Sequence, residues 1–219
     1  MSANKERGQI PPFHMLCKGE GLMNQQKNQK VDVRKLAQAA IFAALAYIGF
    51  QVFRIDIPIA GGKTAFHLGN TFVVLAALML GGVWGGLAGG VGLTIADLTA
   101  GYATSAPKTF LMKFLIGLIV GIVAHKVCHI SKETDKKKLT VSTFAASAAG
   151  MIFNTIFDPI IGYFYKVYLL GIEQNAAQII QKIAAGTTAF NALLTVIVAG
   201  VLYLVLRPVL KKSGLFFEV

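Results

Sequence analysis

The chain contains few charged residues, little acid and almost no cysteine. Charged side chains make up 14% of the 219 residues, and ten acidic residues stand against 21 Lys and Arg, which gives a net charge of +11. Cys17 and Cys128 have no framework spacing, so we expect neither a disulfide nor a metal site. By contrast, 55% of the residues are hydrophobic. Long apolar runs between short charged clusters are typical of a multi-spanning membrane protein and exclude an ordinary soluble domain.

The positive charge lies mainly at the N-terminus, in one middle loop and at the C-terminus, so no nucleic-acid partner is expected. Residues 1–33 are polar and lack the apolar segment of a signal peptide, which predicts a flexible cytoplasmic tail. Met23 opens a Lys- and Gln-rich stretch that leads directly into the first apolar run. Translation from Met1 and translation from Met23 therefore both stay open.

Six apolar segments, of which the second is short, are each close to the ~20 residues that an α-helix needs to cross a bilayer core. The sequence therefore predicts an all-α, six-helix transmembrane bundle over residues 34–207, followed by a cytoplasmic tail at 208–219. Ile55–Phe66 contains Pro58 and is predicted as an outer loop, and Glu173–Lys182 as a short interfacial helix. The predicted spans are Arg34–Phe53, His67–Leu80, Val83–Tyr102, Thr109–Val127, Thr140–Tyr165 and Ala184–Leu206.

Positive charge is distributed unequally between the two sides of this predicted bundle. Fifteen Lys and Arg lie in the N-terminal tail, the loop after the fourth span and the C-terminus, whereas five lie in the loops of the other side. Because short loops rich in Lys and Arg stay in the cytoplasm, both termini are predicted to be cytoplasmic. The chain is therefore expected to be a multi-pass integral protein of the cell membrane.

Four polar residues interrupt the apolar segments near their predicted outer ends: Asp97, Lys113, Asn154 and Asp158. At ~1.5 Å of rise per residue, Asp97 and Lys113 lie roughly 6–10 Å below the outer surface, on neighbouring helices that allow an ion pair. Asn154 and Asp158 are four residues apart and share one helix face. A charge in hydrocarbon costs several kcal/mol, so such residues usually face a partner or a cavity. We expect a ligand pocket open to the outside; the alternative is a purely structural salt bridge.

Three further residues near outer helix ends are weaker candidates for the same pocket. Asn191 lies in the outer half of the last span, His67 begins the second span and Tyr102 ends the third. An interfacial His is usually a polar helix-end residue, and tyrosines at this depth commonly belong to an aromatic belt. Ligand contact and an interfacial role therefore both stay open for them.

Small residues recur at four-residue spacing in three predicted helices. The pairs Gly82/Gly86 and Gly117/Gly121 predict close helix contacts within the bundle. Four alanines make a smooth strip on the first span, which either packs internally or docks a partner membrane protein. These alanines are Ala39, Ala40, Ala43 and Ala44.

The string Gly61-Gly62-Lys63-Thr64 imitates the end of a phosphate-binding loop. The full pattern requires a glycine where the chain has Ile57, and no preceding strand is predicted. We therefore expect no nucleotide-hydrolysing machinery and no cofactor bound by this chain. The sequence also shows no convincing nucleophile–base pair, so no catalytic residues and no enzyme activity are expected.

The stretch from His67 to Gly121 combines several short motifs: Leu68-Gly69, a Gly-rich start of the third helix, Asp97, Gly101-Tyr102, Ala106-Pro107, and Thr109-Phe110 followed by Lys113 and Gly117. In this combination the stretch resembles the substrate-binding S-components of energy-coupling factor (ECF) vitamin transporters. The resemblance is to the branch for hydroxymethylpyrimidine or pyridoxine-type compounds, and six helices with cytoplasmic termini agree with it.

The resemblance implies that the chain captures a vitamin or precursor outside the cell with high affinity. It also implies association with a membrane coupling subunit and two ATPases, which use the ATP, and toppling of the bundle in the membrane. The family's docking surface for the coupling subunit maps onto Ala39, Ala40, Ala43 and Ala44.

We therefore expect an S-component for hydroxymethylpyrimidine or a vitamin B6-like compound, with residues 57–66 as a lid over the pocket. Riboflavin, pantothenate, cobalamin or a queuosine precursor is an alternative cargo. A standalone proton-coupled carrier is an alternative of another class, with Asp97 or Asp158 as the proton site. The expected substrate-binding residues are Asp97, Lys113, Asn154, Asp158, Tyr102, Asn191 and His67.

Overall fold

The computed structural model describes residues 33–59 and 62–219, so the predicted tail before Val33, with Cys17 and Met23, lies outside the described residues. In those ranges six α-helices confirm a mostly helical fold. A 3-10 turn, Ala103–Ser105, precedes the fourth helix, and π-helical segments, Ile122–Val127 and Tyr165–Leu169, extend the fourth and fifth. The elements are α1 (Val33–Gln51), β1 (Ile55–Ile59), β2 (Gly62–Phe66), α2 (Gly69–Leu80), α3 (Gly82–Thr99), α4 (Ala106–Gly121), α5 (Lys136–Phe164) and α6 (Gln174–Lys212).

The short helix α2 lies at the centre of the bundle. Eleven of its 12 residues are buried, and it contacts α3, α4, α5 and α6. Its sequence from Val73 to Leu80 is entirely apolar, because a helix surrounded by other helices has no solvated face. The core of the protein is thus organised around an element shorter than a bilayer is thick.

The outer helices expose aliphatic side chains instead of polar ones. Ile41 on α1, Ile152 on α5 and Leu193 on α6 are each more than half exposed. Among the described residues, four helical stretches are long and apolar enough to cross a membrane: Val33–Gln51, Ala103–Val127, Lys136–Leu169 and Gln174–Lys212. Exposed aliphatic faces on such helices suit lipid and not water.

Glycine pairs on α3 and α4 bring these two helices into close contact, as the spacing predicted. A side chain added at Gly117 would collide with the backbone of Gly86, and one added at Gly121 would collide with that of Gly82. Gly81, between α2 and α3, has a φ of 89° that L-residues rarely adopt. The close approach holds Asp97 on α3 next to the first turns of α4.

The segment predicted as an outer loop is instead a β-hairpin. β1 and β2 pair antiparallel, with Ile55 opposite Phe66 and Ile59 opposite Gly62. Alternate β-branched residues in β1 favour extended backbone, whereas Pro58 had suggested a loop. A strand therefore does precede the Gly-Gly-Lys-Thr string, but it returns antiparallel instead of leading into a helix. The phosphate-loop interpretation stays excluded for that reason.

Helix α6 is longer than predicted at both ends. The expected interfacial helix Glu173–Lys182 is wrong, because those residues form the N-cap and first turns of the 39-residue α6. No proline interrupts the helix before Pro208, and Gly186 alone does not break it. At ~1.5 Å per residue α6 extends roughly 58 Å, well beyond a ~30 Å hydrocarbon core.

At the bundle end opposite the hairpin, Arg207 of α6 fixes the loop that precedes α5. Its Nη2 atom donates to the carbonyl oxygens of Ile130, Ser131 and Glu133 at 2.9, 3.2 and 2.7 Å. The segment after α6 also packs on the helices, because Gln38 Nε2 donates to the Leu215 carbonyl at 2.8 Å. The residues expected to be a C-terminal tail are thus in contact with α1.

Candidate functional site

One cavity of about 130 Å³ lies at the hairpin end of the bundle. Its walls come from all six helices and β2, together with the turn after α3. The structure brings all seven predicted substrate-binding side chains to this cavity, and their contact with a ligand stays a prediction. They are His67, Asp97, Tyr102, Lys113, Asn154, Asp158 and Asn191.

The predicted ion pair between Asp97 and Lys113 is wrong. Asp97 Oδ2 accepts a hydrogen bond from Thr109 Oγ1, one turn earlier on α4 than Lys113. Within the described part of the chain, Lys113 has neither a hydrogen bond nor an ion pair, although only 8% of it is exposed. Thr109, which is shorter and closer to the start of α4, therefore binds the Asp97 carboxylate. The Lys113 ammonium is left available to another group in the cavity.

Asp158 forms an ion pair with Lys108, which was predicted only as an outer-loop residue. Lys108 Nζ lies 2.8 Å from Asp158 Oδ1, and both side chains are largely shielded from solvent. Asn154 lies one helical turn before Asp158 and lines the same cavity, as their spacing predicted. The pair ties the first turn of α4 to α5 at the cavity wall.

Asn191 connects the hairpin and the start of α2 to α6. Its Nδ2 donates to the Ala65 carbonyl at 3.0 Å, and its Oδ1 accepts the His67 backbone N–H at 3.2 Å. His67 Nδ1 accepts the Gly69 N–H at 3.1 Å, so the ring of neutral His67 carries its proton on Nε2. Thr64 and Thr187 add a hydroxyl–hydroxyl contact of 2.8 Å between β2 and α6.

Tyr102 closes the cavity on the side of β1. Its hydroxyl donates to Asp56 Oδ1 at 2.8 Å, and the Lys63 ammonium lies 4.2 Å from the centre of its ring. Burial, together with the hydrogen bond to Asp56, raises the pKa of the Tyr102 phenol, so the hydroxyl stays protonated at physiological pH. The Phe50 ring packs edge-on against Tyr102 at 6.0 Å, which adds a flat apolar surface to the polar wall.

Several buried polar atoms in the cavity wall have no hydrogen-bond partner in the described protein. They are Asn70 Oδ1, Asn154 Oδ1, and both Oε1 and Nε2 of Gln181. An unsatisfied buried polar group costs about 1–3 kcal/mol, so native proteins rarely keep such groups without a use. Four of them around one cavity form a ready set of donors and acceptors for a bound polar molecule.

The cavity wall also contains residues that the sequence did not predict there, among them Lys108, Lys166, Gln181 and Thr187. Gln181 was assigned to an interfacial helix, and the two lysines were counted only to orient the chain. The sequence did contain one signal for one of these lysines. Lys108 lies near the start of α4 and Asp158 near the end of α5, so both residues lie at a similar depth in the bundle. Gln181 could be recognised as a cavity residue only from the structure, because only the structure shows that α6 is continuous from Gln174 to Lys212.

The alanine strip of α1 divides between two environments. Ala39 is buried inside the bundle, and the backbone of Ala43 lies against Gly92 of α3. Ala40 and Ala44 are exposed on the outer face of the helix. Ala39 and Ala43 therefore pack inside the bundle, whereas Ala40 and Ala44 remain accessible to a partner.

Comparison with known proteins adds a family and a fold. Residues 30–208 match the family described as "ECF-type riboflavin transporter, S component". An uncharacterized protein from Pyrococcus woesei is 37% identical over 67 residues, which are 31% of this chain and 45% of that protein. The match thus spans less than half the length of this relative.

Two solved structures share the fold. ThiT from Listeria monocytogenes is 19% identical with a TM-score of 0.57, over 81% of this chain and 95% of that one. The S-component for biotin from an ECF-type ABC transporter is 18% identical with a TM-score of 0.54, over 82% and 93% of the two chains. At this level of identity the similarity establishes the arrangement of helices and not the ligand.

Proposed function

Because the chain belongs to the family of ECF-type riboflavin transporter S components, we propose that it captures a small vitamin or vitamin precursor outside the cell for ATP-driven uptake. The observation that carries this proposal is the cavity at the hairpin end, where unpartnered polar atoms line an otherwise apolar bundle. A few well-placed polar groups in a concave pocket are what a small ligand requires. The chain itself uses no ATP; a membrane coupling subunit and two ATPases supply the energy.

The cargo is a compound with a single heteroaromatic ring, such as hydroxymethylpyrimidine or a vitamin B6-like molecule. The cavity of about 130 Å³ is smaller than the roughly 300–1,000 Å³ typical of sites for drug-sized ligands. A three-ring flavin or a corrin would need more space than this cavity offers. Tyr102 and Phe50 offer aromatic surface to a flat ring, while Asn154 and Gln181 offer hydrogen bonds to its substituents.

The six-helix bundle lies in the membrane with both termini in the cytoplasm, so the cavity opens at the outer surface. The distribution of Lys and Arg supports this orientation. Ala40 and Ala44, exposed on α1 beside Ile41 and Ile48, form the surface that docks the coupling subunit. Small residues there let a partner helix approach closely within the lipid.

A thermal-shift screen on the purified, detergent-solubilised protein tests the cargo. The compounds are hydroxymethylpyrimidine, pyridoxine, pyridoxal, thiamin, riboflavin, pantothenate, biotin, niacin and cobalamin. A binder at 100 times its Kd stabilises the fold by about 2.7 kcal/mol. We expect this shift for a one-ring compound, and we expect Asn154→Leu to remove it while the exposed Asn175→Leu retains it. A shift with riboflavin or cobalamin alone, or with none of the compounds, would contradict the proposed cargo.

Reconstitution into liposomes separates the proposal from a proton-coupled carrier. Uptake of the identified ligand is expected only when the coupling subunit, both ATPases and ATP are present. Accumulation by this chain alone under a pH gradient would instead favour the carrier. The control is the same liposome preparation with an ATPase variant that cannot hydrolyse ATP.

A further inference from the structure

The ionisable side chains around the cavity do not balance in charge. Four lysines line it against two aspartates, which leaves a net charge of +2 with His67 neutral. The four lysines are Lys63, Lys108, Lys113 and Lys166, and the aspartates are Asp97 and Asp158.

Two of these lysines already have protein partners. Lys108 forms the 2.8 Å ion pair with Asp158. Lys63 donates to the Ala100 carbonyl at 2.8 Å and lies over the Tyr102 ring. Both side chains are therefore held at the wall, and their positions are explained by contacts within the protein.

Lys113 has no such explanation. It is 92% buried, lines the cavity, and makes no hydrogen bond or ion pair in the described part of the chain. The charged groups that act on it are Asp158, Lys108 and Asp97, but each carboxylate is engaged by another side chain. Lys166, in the π-helical segment that extends α5, also lines the cavity and has no hydrogen bond or ion pair with any residue that the structure describes. An uncompensated ammonium in a membrane bundle costs several kcal/mol.

Resting on the function proposed above, we infer that the cargo carries an acidic group, a carboxylate or a phosphate, which binds the ammonium of Lys113. An anion placed there neutralises the excess charge, and Lys166, which lines the same cavity, adds electrostatic attraction. Asn154 and Gln181 then remain for the neutral part of the molecule. Charge-assisted hydrogen bonds of this kind are about twice as strong as neutral ones, so the acidic group dominates recognition.

Matched pairs of compounds test this inference, because each pair differs mainly in one acidic group. The pairs are nicotinate with nicotinamide, pyridoxine 5′-phosphate with pyridoxine, and hydroxymethylpyrimidine phosphate with hydroxymethylpyrimidine. Binding is measured by calorimetry on the full chain in detergent. We expect the acidic member of at least one pair to bind at least ~10-fold more tightly than its neutral partner. The pair that responds distinguishes a carboxylate from a phosphate.

Three variants assign the effect to the proposed residue. Lys113→Met is expected to weaken the acidic member by at least ~10-fold and to leave its neutral partner unchanged. Lys113→Arg retains the charge and is expected to preserve the preference for the acid. Lys138→Met removes an exposed lysine from the start of α5, at the other end of the bundle, and is expected to change neither affinity.

Each outcome of these measurements decides something. A neutral compound that binds as tightly as its acidic partner, or more tightly, overturns the inference and leaves the proposed function intact. A preference for the acid that survives in Lys113→Met also overturns it. If none of the six compounds binds, both the inference and the one-ring cargo are wrong.

Discussion

At the scale of single residues, the cavity is held open by hydrogen bonds that also fix the backbone around it. Asn191 is the clearest case, because one amide satisfies a carbonyl of β2 and a backbone N–H ahead of α2. Asn191→Ala is expected to destabilise the protein by about 1–3 kcal/mol, since it leaves two buried backbone groups unpaired. Unfolding of the ligand-free protein, followed by circular dichroism, measures this.

A matched control exists on the same helix. Asn175, near the start of α6, makes one long surface contact of 3.3 Å to Glu173, so Asn175→Ala is expected to change stability by less than ~0.5 kcal/mol. Equal losses for the two variants would mean that the Asn191 bonds contribute no more than a surface contact.

The residue types of the site were predictable, and their pairing was not. Asp97, Asn154 and Asp158 stand out in sequence because polar groups are rare in such apolar runs. Which lysine meets which carboxylate depends on a few ångströms of helix offset. Thr109 reaches Asp97 before Lys113 does, and Lys108 reaches Asp158. The hydropathy of a sequence does not show how far neighbouring helices are offset along their axes, so it cannot predict these pairs.

At the scale of elements, the contact between α3 and α4 depends on glycines that face each other. Gly117→Ala is expected to destabilise the fold by about 1–3 kcal/mol, because its methyl group would meet the backbone of Gly86. The same substitution at Gly186 on α6 meets no atom within 4 Å and is expected to leave stability unchanged or raise it by up to ~1 kcal/mol. Thermal unfolding in one detergent compares the two.

The outer face of α1 gives a second prediction about an element. Ala44→Trp places a large ring on the proposed docking surface and is expected to reduce co-purification with the coupling subunit at least ~10-fold. Ala145→Trp, on an exposed position of α5, is the matched control and is expected to retain the complex. Loss of the complex in both variants, or in neither, would contradict the assignment to α1.

The helices were predictable because apolar runs of the right length have few alternatives in a membrane. The hairpin and the first turns of α6 were not, because both contain signals that favour loops. Pro58 is tolerated in a two-stranded hairpin that has free edges, and Gly186 is tolerated inside a helix of 39 residues. Local composition therefore misplaced the elements that carry Thr64 and Gln181 to the cavity.

At the scale of the whole molecule, the charge distribution predicts the direction in which the bundle crosses the membrane. In a background with Cys17→Ser and Cys128→Ser, Lys182→Cys is expected to react with a membrane-impermeant thiol reagent on intact cells. Lys138→Cys is expected to react only after the cells are permeabilised. Both positions are exposed, so accessibility in the folded chain does not explain a difference. The reverse pattern would place the cavity on the cytoplasmic side.

The uninterrupted length of α6 has a mechanical consequence. Helix α6 supplies Gln181 and Asn191 to the cavity. Near its other end, Arg207 donates hydrogen bonds to three carbonyl oxygens of the loop before α5. Gln181 and Arg207 are roughly 39 Å apart along the helix, at ~1.5 Å per residue. Because one continuous helix joins the cavity to the loop before α5, a tilt of α6 at the cavity is expected to move the turns that carry Arg207 as well.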